Sequence, residues 1–186
     1  MSRVTTPSRA DLNEADVVFY DRIVATRKKI SGPFTVLLHS PELAARVADV
    51  GSFIRFESSL PFACRCLSAL LVAREFDCSF EWGGWAPQAE EAGVPTEAIE
   101  AVRVGDFPIG LSNELQLVVE FGHQLLRTPH RLSDETYRAA VNHFGLSRTV
   151  ELAASFGYFS MLTFILNGFE VDPHDGFPPL ASPSRS

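Results

Sequence analysis

From residue 147 to about 167 the chain is apolar on nearly every side of the helix it would form, through Val150, Leu152, Phe156, Tyr158, Phe159, Met161, Leu162, Phe164, Ile165 and Leu166. A helix of that kind has to be buried. Glu151, Ser155, Ser160 and Thr163 interrupt the run, so it lacks the roughly 20 unbroken apolar residues of a membrane span. In a chain of 186 residues one subunit has too little surface to cover such a helix all round. A second burial surface on a partner subunit is therefore expected, and with it a homo-oligomer.

The rest of the chain is punctuated as helices. A run beginning at Asp11 ends at Lys28 and Lys29, before Ser31-Gly32-Pro33. Ser40 and Pro41 open the next helix, with Glu42 in its first turn. It reaches about residue 58. Pro61 opens another to about residue 76, and residues 78–92 form the one after it. Gly93, Val94 and Pro95 separate that helix from a short one over 96–104. Ser112 caps 113–128, Ser133 caps a helix ending at Phe144, and Ser147 starts the last. Residues 34–38 are the only strand candidate, and a weak one. The fold class expected is all-α: a single domain over 10–170, with loose termini at 1–9 and 171–186.

Charge and cysteine content narrow the setting. The formal net charge of −7 opposes duplex nucleic acid and anionic membrane as partners, since both reward Lys/Arg clusters. Three cysteines do not make a disulfide framework. The opening residues lack the apolar core of a signal peptide, so a reducing cytoplasm is expected.

Candidate chemistry concentrates in residues 66–93. Cys66 lies on an apolar helical stripe with Ala63, Leu67, Leu70 and Leu71. Cys78, Glu81 and Trp85 follow at i, i+3 and i+7, which is one helix face. Glu81, flanked by Phe80, Trp82 and Trp85, should be desolvated, and desolvation raises a carboxyl pKa towards the range of a general acid or base. The competing reading is a structural carboxylate paired with Arg55, Arg65 or Arg74. For the thiols the competing reading is plain burial as small hydrophobes. Cys78 with Glu81 is no redox pair, because a carboxylate cannot resolve a disulfide. Trp85 can donate a hydrogen bond but cannot carry a proton. Pro87, together with Gly83 and Gly84, is unusual inside a helix. His39 precedes a helix start and is a second candidate base, or else a turn histidine. His130, His143 and His174 have no partner at ligand spacing, so no metal site is expected. No Gly-rich phosphate loop and no Gly-x-Ser-x-Gly is present.

The segments GPFTVLLHSPELAARVADVGSFIRFESSLP, RCLSALLVAREFDCSFEWGGWAPQAEEAGVPTEAIEAVR and VELAASFGYFSMLTFILNGF resemble the carboxymuconolactone decarboxylase-like superfamily, which includes the alkylhydroperoxidase D proteins. The resemblance covers residues 12–169. It implies an all-α fold assembled as trimers or hexamers, with sites near subunit contacts. Peroxidase-type members carry Cys-x-x-Cys-x-x-x-His with an upstream Glu; here those positions read Cys78, Glu81 and Trp85, and Cys66 stands for the upstream acid. Other members read Tyr-Glu-Trp-x-x-His. Phe80-Glu81-Trp82 keeps that pattern without the Tyr hydroxyl, and Trp85 replaces the His.

The resemblance implies a cofactor-free lyase, decarboxylase or isomerase acting on a small carboxylated or lactone-like substrate. Glu81 would move the proton and Arg55 would hold the carboxylate, with Phe80, Trp82 and Trp85 shaping the pocket and Cys78, Cys66 and His39 as further candidates. The alternatives are a non-catalytic small-ligand-binding oligomer and a thiol-dependent peroxidase.

Overall fold

The computed structural model describes residues 2–173 and 180. Within them the chain is helical, with no strand among the described residues. Helix α1 spans Glu14–Arg27, α2 Phe34–Leu37, α3 Pro41–Ser52, α4 Phe62–Glu75, α5 Ser79–Glu91, α6 Thr96–Val104, α7 Asn113–Leu126, α8 Asp134–Phe144 and α9 Leu146–Gly168. The weak strand candidate at 34–38 is thus a single helical turn. Its Phe34, Val36 and Leu37 are all buried, a spacing that one turn satisfies as well as a strand would.

Local chemistry places several of the boundaries, though the Ser40 side chain makes no capping bond at the start of α3. Asn13 accepts from the Asp16 N–H at 2.9 Å to start α1, and Ser112 and Ser133 accept from the backbone of Leu115 and Thr136. Pro41 sits in the first turn of α3, where its missing N–H costs nothing. Gly105, at φ 89°, closes α6 in the left-handed conformation that glycine adopts without strain.

The helix buried on all sides is α4. Cys64 and every residue from Cys66 to Arg74 are buried in it, and it packs against α5, α7 and α9. α9 lies on α4 and α8 with Leu152, Phe156, Phe159, Leu162 and Leu166 inward. Its other side stays exposed at Leu146, Val150 and Phe164. By length and composition α9 could cross a membrane, and half of that window is buried inside the protein.

Two irregularities position the site. Residues Phe53–Glu57 form a π-helical turn after α3, a device that inserts a residue and re-aims the side chains around it. Arg65 Nη1 donates to the carbonyls of Ile54 and Arg55 at 3.0 and 2.6 Å, which ties this turn to α4. Between α4 and α5, Asp77 takes a positive φ of 52° and accepts from the buried Arg74. That sharp corner leaves Cys78 as the residue preceding α5.

The first nine residues, expected to be loose, make specific contacts. Arg3 donates its backbone N–H to the Phe169 carbonyl and a guanidinium N–H to the Gly168 carbonyl, at 2.9 and 3.0 Å. Most of the expected loose tail at 171–186, including His174, lies outside the described residues.

Candidate active site

Helix α5 supplies one wall of a cavity of about 180 Å³. Phe80, Glu81 and Trp85 face it from α5, Arg27 from the end of α1, Arg55 from the π-turn and Tyr158 from α9. Its apolar floor is completed by Phe159 and Leu162. The charged side chains in the lining are two arginines and one glutamate, so the cavity is positive in a protein whose net charge is −7.

Glu81 is buried, and its Oε2 accepts the Trp85 indole N–H at 2.9 Å from one turn away on the same helix. Burial pushes its carboxyl up to about 7, against the smaller opposing effects of the Trp85 hydrogen bond and the Arg55 and Arg27 charges. At neutral pH it is therefore divided between acid and base forms. None of Arg55, Arg65 and Arg74 lies at ion-pair distance from it; Arg65 is spent on backbone carbonyls and Arg74 on Asp77 and the Arg103 carbonyl. The structural pairing weighed against catalysis is absent among the described residues.

The two arginines are held by rings. Arg55 lies over Trp85 with its guanidinium carbon 5.0 Å from the ring centroid, and Arg27 lies over Phe34 at 4.0 Å. Neither guanidinium has a carboxylate within ion-pair distance among the described residues. Burial, and after it repulsion from Arg27, lowers the Arg55 pKa. One Trp85 ring thus presents its N–H edge to Glu81 and its face to Arg55. It also packs edge-on against Phe159, at 5.0 Å between centroids.

The other candidates fall elsewhere. Trp82 is one residue from Glu81, which on a helix is a turn of 100°; it faces a groove with Ala86, Pro87 and Ile99 on the opposite side of α5. Cys78 and Cys66 are buried and line no part of the cavity. Burial pushes the Cys78 thiol up to about 11 and the Cys66 thiol up to about 12. His39 Nε2 is 2.9 Å from the Thr5 carbonyl oxygen, in a depression formed with residues near the N-terminus. Pro87 is exposed, and α5 runs past it to Glu91. Among the described residues no group of three or more His, Cys, Asp or Glu side chains is placed to hold a metal.

Arg27 and Tyr158 belong to the site and were not legible as such. Arg27 reads as a cation at a helix C-terminus, and Tyr158 as one more ring on an apolar helix.

These features define an all-α protein of the alkylhydroperoxidase D-like fold, with a glutamate at its helix-lined cavity. The chain is similar in structure to the alkylhydroperoxidase AhpD core of an uncharacterized peroxidase-related protein from Ralstonia eutropha JMP134. The TM-score is 0.75 over 95% of this chain and 94% of that one, at 14% sequence identity. At that identity the likeness establishes the fold. No protein-family model and no curated protein matches the sequence.

Proposed function

We propose that this protein is a cofactor-free enzyme of the lyase, decarboxylase or isomerase type, moving a proton on a small carboxylated or lactone-like substrate. The observation that carries the reading is Glu81. It is a buried carboxyl raised to about 7, it lines a cavity, and it has no arginine at ion-pair distance among the described residues. A carboxyl serving only structure has no need of that combination. Arg55 supplies a cation for the substrate carboxylate, and Trp85 fixes the carboxyl it cannot replace as a proton carrier.

The thiol reading has less support, because the two cysteines nearest the family's redox positions are buried, have raised pKa values and lie outside the cavity. Three free cysteines suit a cytoplasmic setting, where thiols stay reduced.

The test is Glu81→Gln assayed on a panel of small carboxylates and lactones, with thermal melting of the same preparation. The amide keeps the shape and accepts the Trp85 N–H, so the fold should survive while turnover falls about 10²-fold or more. Turnover at the native level would remove Glu81 from the chemistry.

A further inference from the structure

Where α1 and α9 line the cavity, Arg27 and Tyr158 form an arrangement whose parts explain one another. Arg27 Nη2 donates to the Tyr158 hydroxyl oxygen at 3.4 Å. That hydroxyl therefore serves as acceptor to Arg27, and its own hydrogen has no acceptor among the described residues. Arg27 Nε is also buried without a hydrogen-bond partner. Both residues line the same cavity, Tyr158 with a neutral O–H donor and Arg27 with a cationic guanidinium. Burial raises the Tyr158 pKa, which keeps the hydroxyl protonated at neutral pH.

Gly51 explains how they fit. It is buried in α3, where glycine is disfavoured relative to alanine in a helix interior. A Cβ built there would lie 2.1 Å from the Tyr158 hydroxyl oxygen and 2.5 Å from Arg27 Nη2. The missing side chain is the niche in which the two polar groups meet.

We propose that Tyr158 and Arg27 form the oxyanion-stabilising pair of this cavity, working opposite Glu81. The inference rests on the proton-transfer reading above and adds the group that receives the charge. The Glu81 carboxylate takes a proton from a carbon next to a substrate carbonyl. The C–H electron pair forms a carbon–carbon double bond, and the carbonyl π pair moves onto the oxygen. Tyr158 O–H and Arg27 N–H donate hydrogen bonds to that oxyanion. When the pair returns to carbon, Glu81 gives the proton back, at the same carbon or at a conjugated one, so atoms and electrons balance without an oxidant or cofactor. The substrate class is a small carbonyl compound with an acidic neighbouring C–H.

The probe is 4-nitrophenol, whose phenolate mimics an oxyanion and whose absorbance reports its ionisation. Native protein should bind the phenolate in preference to the phenol. Tyr158→Phe keeps the ring and should weaken phenolate binding about 10-fold or more, as should Arg27→Gln. Gly51→Ala should weaken it by displacing both groups, with circular dichroism checking the fold. Glu81→Gln, which removes a negative charge, should tighten it. Equal phenolate affinity in native protein and Tyr158→Phe overturns the pair. So does absence of phenolate binding to the native protein. Neither result touches the Glu81 reading, which stands or falls on the turnover of Glu81→Gln.

Discussion

Trp85 donates its indole N–H to Glu81 Oε2 at 2.9 Å, across one turn of α5. The bond satisfies one carboxylate oxygen inside the protein without delivering a full counter-charge. Burial can then hold the carboxyl near neutrality, which a salt bridge at the same place would prevent. Trp85 thereby orients the acid that it could not replace.

Stability should depend on pH through this residue. The folded-state pKa of Glu81 is raised from 4.5 to about 7, so its contribution is fully present below pH 4.5 and is lost as pH rises through about 7. Melting Glu81→Gln beside the native protein isolates the effect. The variant should gain relative stability across that window, by roughly 3 kcal/mol at most above it. A difference that stays constant from pH 4 to 8 would show an ordinary carboxyl.

Gly84 separates stability from binding. It lines the cavity, and a Cβ there would meet nothing within 4 Å. Gly84→Ala should raise the melting temperature, by up to about 1 kcal/mol of helix preference. The same methyl occupies ligand space, so binding of small carboxylates measured by calorimetry should weaken. Unchanged binding would place the ligand elsewhere.

The thiols should be inert. With Cys78 pushed up to about 11 by burial, roughly one molecule in 10³ or fewer carries the thiolate at pH 7.5. Ellman's reagent should report no fast-reacting cysteine until denaturant is added. Peroxide turnover with dithiol reductants should be negligible, and Cys78→Ser should leave the main activity in place. Peroxide reduction abolished by that change would restore the thiol reading.

An assembly of copies is the outcome expected from α9. Leu146, Val150 and Phe164, each 58–60% exposed, fall on one face with Ala153 and Gly157. Light scattering should show a homo-oligomer, and Val150→Glu with Phe164→Glu should lower its order. A native protein that is monomeric at micromolar concentration would leave this face without a partner copy.

Much of the fold was written locally. The Ser112 and Ser133 caps, Pro41 at the start of α3 and Gly105 at the end of α6 act through bonds or backbone angles within a few residues. So does the Glu81–Trp85 pair, because a separation of four residues is a neighbour relation on any helix. The desolvation of Glu81 was legible for a related reason, its flanking residues being almost all apolar. The departures lie where four residues or fewer decide, as in α2, or where a step of 100° decides, as with Trp82 facing the opposite groove.

What only the tertiary structure decided is the convergence of Arg27, Arg55, Glu81 and Tyr158 on one cavity. They come from α1, the π-turn, α5 and α9, and no periodicity relates residues so far apart in the chain. Packing set which helix was enclosed: α4 lies among α5, α6, α7 and α9, while α9, more apolar in sequence, keeps a face outward. Packing also gave Gly51 its meaning, since the atoms that fill its missing side chain belong to residues 27 and 158. Helix periodicity is a property of neighbours along the chain, whereas a site is a property of neighbours in space.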